Sequence, residues 1–414
     1  MQKVNYLRIL GLMLFLIIIL INPLTIKKII GAESNNAWKP YNNINVLNDT
    51  IYIDVIFFII GLFLIFISKI PVNIRLLFGT ILLFFILLEI LLGFAPHLLL
   101  DYPSANMVIL AYNNIYEYDP IIDMKFMKPN FETTMYWDGY RWKHKTDKYG
   151  FRNPIDRDKA DIIMLGDSLI YGHGVDQDYT VGYFLEKMTN LTVSNLGRTA
   201  DATYQEVYLL NQYGIKFKPK YVLLFFYAND IFDIENSLSK NKMMEFVNIP
   251  IENITFKERS KIEHSEFREK ILDVLNKRPY VLRAFYLMEL EIVKKLSGQN
   301  GKTIIPPENE SGHELTWDYT KHAILQMKYI SDLNNVEFIL IPITHKNPNG
   351  SPEQFWILKD LASQNNISFI DIRSIYEIPE YYLPHDGHYS EDGHRALAEI
   401  VAKYLNIKEK EVLL

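Results

Sequence analysis

The sequence predicts an α/β fold: a three-layer α/β/α domain on a parallel five-stranded sheet, preceded by three transmembrane helices. Three observations predict it. Long apolar runs crowd the first part of the 414 residues, short apolar runs alternate with helical stretches from Asp161 onward, and 49% of the chain is hydrophobic. Strands that are apolar throughout and separated by helices are buried on both faces, which is the pattern of a parallel sheet.

The apolar runs come first. Residues 51–68 and 74–95 each supply roughly the 17 to 25 residues that cross a hydrocarbon core, and 7–20 does so when 21–24 are added. The first run also reads as a cleaved signal sequence, with Lys3 and Arg8 before it and Gly31, Ala32 and Ser34 after it, although apolar residues recur as far as Ile30. Lys3, Arg8, Lys69 and Arg75 mark the cytoplasmic ends under the positive-inside rule. Three spans then make a multi-pass cell-membrane protein with everything after about Asp101 extracytoplasmic, while Lys27, Lys28 and Lys39 pull weakly against that topology. Glu89 is expected near the outer boundary of the third span, protonated or facing another helix.

Beyond the anchor (1–104) comes an aromatic-rich connecting segment (105–157). Large residues flank Asp138-Gly139 there and predict a hairpin with a type I′ turn. Its rings suit a sugar-stacking platform, although packing onto the neighbouring domain is the commoner fate. The α/β domain spans 158–414, with strands expected at 161–166, 191–196, 221–227, 336–343 and 367–372. Crossover helices are expected at 181–188, 204–213, 318–333 and 354–364, and a closing helix at 391–405. An insertion over 231–316, helical over 265–296, either covers a site or merely elaborates the fold.

Composition excludes several chemistries. With no cysteine there is no disulfide, thiolate metal site or cysteine nucleophile. A net charge of −6 without a long Lys/Arg block leaves no footprint for nucleic acid. Gly172-His173-Gly174 lacks the later glycine of a dinucleotide loop, so no cofactor is expected. His385 and His388 stand at metal-ligand spacing, but no glutamate lies between them and no helix is predicted there, so no metal is expected.

Ser168 follows the predicted strand DIIMLG directly, in a glycine-containing turn at the carboxyl edge of the sheet, where ligands of such sheets bind. As the opening residue of a helix it offers its own backbone N–H, with the helix dipole behind it, to a reacting carbonyl. A serine needs a base, and the base an orienting carboxylate. Asp386 and His388 are two residues apart in the loop before the closing helix, close enough for that pairing. His394, in the first turn of that helix, is better read as a packing or capping residue. Asn229, at the end of a third strand, can aim its amide at a developing oxyanion, a contribution of roughly 3 kcal/mol in comparable sites. Asp230 holds that loop.

Gly166-Asp167-Ser168, Asn229-Asp230 and the late Asp386-Gly387-His388 together resemble the signature blocks of the SGNH (GDSL-like) hydrolase superfamily over about residues 145–408. Residues 146–152 resemble the segment preceding the nucleophile in membrane-anchored members. The resemblance implies a flavodoxin-like, metal-independent esterase with Ser168 as nucleophile, His388 as base, Asp386 as its orienter and Asn229 as oxyanion donor, supported by Asp167 and Asp230. The superfamily's oxyanion glycine corresponds either to Gly197 or to Ala200, whose N–H serves if its conformation is ordinary. Ala228 stands where glycine is common, and one residue rather than two separates Asp386 from His388. That spacing resembles a branch associated with O-acetylation of exported polysaccharides. The expected activity is hydrolysis of acyl, chiefly O-acetyl, esters on envelope or extracellular glycans. Transfer of acetyl with a membrane acyl-transfer partner, lipid ester hydrolysis and a catalytically silent glycan-binding scaffold are the other readings.

Overall fold

The structure, a computed structural model, describes residues 2–20, 54–55, 57–94, 115–119, 122, 124–137, 140–259, 310–343, 352–384 and 386–412. The chain divides into two compact units, one holding the first 114 residues, the other the sheet.

In the first unit the described helices are α1 (Gln2–Leu20), α2 (Phe57–Phe66) and α3 (Val72–Phe94), with a 3-10 turn at Ile67–Lys69. Within α3, Val72–Leu91 is long and apolar enough to cross a membrane and has no part of its length buried. The sequence predicts three spans; among the described residues one helix meets that length. Lys3 and Arg8 dilute the start of α1, leaving Arg8–Ile17 as its apolar stretch, and the 3-10 turn ends α2. Part of the second predicted span lies outside the described residues. Where α1 meets α2, a β-carbon on Gly11 would lie 2.7 Å from the Gly61 carbonyl oxygen. Two glycines therefore let these backbones touch, as small residues do in membrane helix pairs. Phe15 meets Phe58 edge-on at 5.4 Å beside them.

The second unit is built on a five-stranded sheet of β5 (Ile162–Gly166), β6 (Val193–Asn195), β7 (Tyr221–Tyr227), β8 (Glu337–Ile343) and β9 (Ser368–Phe369). The strand order is β6-β5-β7-β8-β9 and every pairing is parallel, the doubly wound order 2-1-3-4-5. All five expected strands are present, two of them one residue shorter than expected and two, β6 and β9, shorter by more. Thr192 closes the start of β6 by donating to Asp161 Oδ2 at 2.9 Å, and Asp371 curls past β9 to accept from the Arg373 N–H at 3.0 Å.

Alternate residues of β5 and β7 serve two cores. Ile163, Leu165, Val222, Leu224 and Phe226 pack with α6 (Thr203–Gln212), α9 (Glu310–Leu333) and α10 (Pro352–Gln364). Ile162, Met164, Leu223 and Phe225 pack with α5 (Val181–Thr189) and α11 (Glu391–Val412). Burying both faces removes apolar area at about 25 cal/mol per Å2, the main gain of a three-layer fold. The expected insertion begins as α7 (Asp230–Ser237) and α8 (Lys240–Asn248), whose Met243 packs with Tyr319 of α9. The predicted helical stretch 265–296 lies outside the described residues.

Before the sheet stand two antiparallel ribbons. β1 (Tyr116–Asp119) pairs with β2 (Met124–Met127), and β3 (Glu132–Trp137) with β4 (Tyr140–Lys145). The turn residues 138–139 of the predicted hairpin lie outside the described residues. Residues 115–135 and 140–157 belong to the same unit as the sheet. Asp147 receives the N–H groups of Tyr149 and Phe151 at 2.9 Å each, and Arg152, fully buried, donates to the carbonyls of Lys143, Gly172 and Val175.

Candidate active site

Strand β5 ends at Gly166, where a β-carbon would meet Ile170 Cγ1 at 2.6 Å, so only glycine lets the chain turn this sharply. Asp167 caps the following helix by accepting from the Leu169 N–H at 2.9 Å. Ser168 is then the first residue of α4 (Ser168–Tyr171), a single turn rather than a long helix. So short a helix has almost no dipole to sum, and what faces a bound carbonyl here is the local N–H groups.

Between β9 and α11 the chain forms a tight loop. Tyr382 and Tyr389 form an antiparallel bridge, and the Leu383 N–H donates to the His388 carbonyl at 2.8 Å. Gly393 packs against this loop so closely that a β-carbon would sit 2.0 Å from the Tyr381 carbonyl oxygen. The loop brings His388 onto Ser168: Nε2 lies 2.7 Å from Ser168 Oγ, and Nδ1 lies 2.5 Å from Asp386 Oδ1. Both histidine nitrogens are thus engaged along one path from hydroxyl to carboxylate. Such a path lets the ring take the hydroxyl proton while the carboxylate steadies the resulting imidazolium. His385 lies outside the described residues. His394, buried in the first turn of α11, packs edge-on to Tyr389 at 5.9 Å.

A second histidine stands behind the first. His173 is buried and stacks on His388 with ring centres 4.1 Å apart, and its Nε2 is 3.4 Å from Asp386 Oδ2. Trp142 closes its other side at 4.7 Å. Burial, then His388 and Arg152, hold its pKa well below the usual imidazole value, so it is neutral. Sequence reasoning missed His173, since the flanking glycines carry no sign of what the ring will face. Ligand atoms of His173, Asp386 and His388 lie within 4.8 Å of one another. Stacked rings, however, direct their in-plane lone pairs side by side rather than at one ion, and His388 has none to spare.

Of the expected oxyanion donors, Gly197 directs its N–H to Asn195 Oδ1 at 2.9 Å and so is engaged within its own loop. Ala200 has φ of 55°, so the condition of an ordinary conformation is not met; the alanine instead stands in the left-handed region that glycine, the residue usual at this position, enters readily. Asn229 closes β7 and caps α7; its amide donates to Asp233 Oδ2 at 3.0 Å and also bonds Asp167. The sequence suggested a free donor, whereas the structure sets this amide between two carboxylates.

Beneath lies a buried acidic group. Burial pushes Asp167 up to about 6, against the opposing pull of the Leu169 N–H and His388. Asp233 is pushed up to about 7, again by burial first and then by Asp167. Glu206 and Asp230, fully buried, are raised well above the carboxylate range, Glu206 by burial and then by Asp201 and Asp167, Asp230 by burial and then by Glu206 and Asp167. Asp230 is thus shifted towards its protonated form under its loop.

No family model matches the chain, and no curated protein does. Solved structures do. The lipase/acylhydrolase of Enterococcus faecalis is 13% identical, with a TM-score of 0.34, over 60% of this chain and 96% of its own. A catalytic mutant of an acetylxylan esterase from Geobacillus stearothermophilus is 11% identical at 0.33, over 60% and 95%. The Clostridium thermocellum family 3 carbohydrate esterase is 13% identical at 0.34, over 61% and 98%. The chain is similar at this level to solved proteins described as an acylhydrolase and as carbohydrate esterases.

Proposed function

We propose that this chain is a membrane-anchored serine esterase whose α/β domain removes acyl groups, chiefly acetyl, from envelope or extracellular glycans. The observation that carries the reading is the continuous contact from Ser168 Oγ through both nitrogens of His388 to Asp386. Ser168 attacks the ester carbonyl as His388 takes its proton. The oxyanion is met by the N–H groups of Ser168 and Ala200 and by the Asn229 amide, released from Asp233. As the bond from the acyl carbon to the sugar oxygen breaks, His388 gives that oxygen its proton, and water, deprotonated by the same ring, attacks the acyl group on Ser168 and releases the acid as Ser168 Oγ regains a proton.

The anchor supports the placement. α3 has the length and hydropathy of a span, and large apolar side chains on all three described helices face outward, from Leu10 to Leu91. Proximity to a bilayer favours one further reading, hydrolysis of lipid esters.

Hydrolysis of p-nitrophenyl acetate and longer acyl esters by the full chain in detergent tests both. Wild type is expected to cleave acetyl fastest, with Ser168→Ala and His388→Ala lowering kcat by about 10⁴ to 10⁶. A preference for long chains would establish the lipid reading. Undiminished activity in Ser168→Ala would refute the serine mechanism.

A further inference from the structure

The loop carrying Ala200 is gripped from the ribbon that precedes the sheet. Lys125 of β2 donates from Nζ to the Thr199 carbonyl at 2.8 Å, and the Tyr116 hydroxyl of β1 meets Thr199 Oγ1. Arg198 binds back: its Nε donates to Asp201 Oδ2 at 2.6 Å, another of its nitrogens donates to the Lys125 carbonyl, and its guanidinium lies 5.0 Å above the Phe126 ring. On the sheet side, the Arg198 N–H donates to the Gly166 carbonyl at 3.2 Å, two residues before Ser168.

The Thr199 carbonyl and the Ala200 N–H belong to one planar peptide and point in opposite directions. Whatever fixes the first fixes the second. Ala200 sits at φ 55°, where a β-carbon is disfavoured, and rotating this peptide would relieve that conformation while turning the N–H away. An ammonium on the carbonyl opposes the rotation, and by drawing charge onto the oxygen it makes the N–H a better donor. Burial lowers Lys125 to about 8, with Asp201 opposing the fall, so the amine is charged at neutral pH.

We propose that Lys125 is a positioning residue for ester hydrolysis, holding the Thr199–Ala200 peptide so that the Ala200 N–H faces the substrate's acyl oxygen. This rests on the esterase reading above. The ribbon of β1 and β2 is then part of the catalytic apparatus although it precedes the sheet.

The test compares kcat and KM for p-nitrophenyl acetate in the full chain, with Ser168→Ala as control. Lys125→Met, similar in length but uncharged, is expected to lower kcat about 10²-fold, the scale of a misplaced or lost oxyanion donor, with KM little changed. Lys125→Arg should recover most of the loss. Adding Ala200→Gly to Lys125→Met should recover part, because glycine holds the left-handed conformation without help. A folded Lys125→Met with wild-type kcat overturns the proposal, as does a loss that arginine fails to rescue. Should Lys125→Met not fold, Tyr116→Phe decides: a lowered kcat at unchanged KM supports the clamp and a wild-type kcat overturns it. If Ser168→Ala itself remains active, the esterase reading fails and the clamp with it; if only the Lys125 and Tyr116 variants match wild type, the clamp alone falls.

Discussion

At the scale of single residues, the placing of Ser168, Asp386 and His388 was legible because each sits beside a local turn or strand-end signal, and so was that of Asn229, though not the two carboxylates its amide meets. His173 and Lys125 were not, because their roles come from elements that meet only in the fold: α4 with the loop before α11, and β2 with the loop after β6. The buried carboxyl groups were equally illegible, and they give a pH signature. Glu206, Asp230 and Asp233 keep protons in the folded chain at pH values where the unfolded chain has released them. Stability therefore falls as pH rises from about 4, the ordinary carboxylate range, through about 7 and beyond. The buried histidines act at the other end. His144 and His394, lowered to about 3 by burial, stay neutral in the fold, so stability also falls as pH drops below about 6.5. Asp230→Asn removes one acid, and thermal unfolding between pH 5 and 8 should show a shallower alkaline decline, by up to about 1.4 kcal/mol per pH unit. Curves that run parallel to wild type would mean that Asp230 ionises freely. For His173→Phe, which keeps the stacking and loses the nitrogen beside Asp386, we expect about a tenfold lower kcat with Ser168 still in place.

At the scale of elements, the strands were the easiest to read, since fully buried parallel strands are apolar end to end. Their ends were harder, because side chains such as Asp161 and Asp371 that close β6 and β9 look like ordinary loop polarity. The length of the helix that Ser168 opens was not legible, since nothing apolar in Leu169-Ile170-Tyr171 announces the left-handed Gly172 that ends it after one turn. Gly166 joins β5 to that turn, and Gly166→Ala should destabilise the chain by about 1 to 3 kcal/mol, as overpacking does, with a lower Tm to show it. In the anchor, Gly11→Leu should separate α1 from α2. A disulfide between cysteines placed at Phe15 and Phe58 would form readily in the parent and poorly in that variant.

For the whole molecule, the change from continuous apolar runs to alternating ones marks the anchor off from the α/β domain, while the connecting segment expected between them belongs largely to the same unit as the sheet. The sequence predicts three spans in the anchor, of which one, in α3, has the length and apolarity to cross a membrane among the described residues. Because the chain has no cysteine, a single introduced one reports without background. Asp178→Cys, at an exposed position before α5, should react with a membrane-impermeant maleimide in intact cells if the α/β domain lies outside. Labelling only after lysis would place that domain in the cytoplasm.

The ribbons ahead of the sheet also decide where the protein can be cut. A fragment beginning at residue 158 would lose Arg152, which ties the carbonyls of Tyr171, Gly172 and Val175 in the turn after Ser168, as well as Lys125, Phe126 and Trp142. It would leave apolar surface bare where those side chains had packed, and such a fragment is expected to aggregate on expression. A soluble version for crystallisation or inhibitor screening must therefore begin before Ile115.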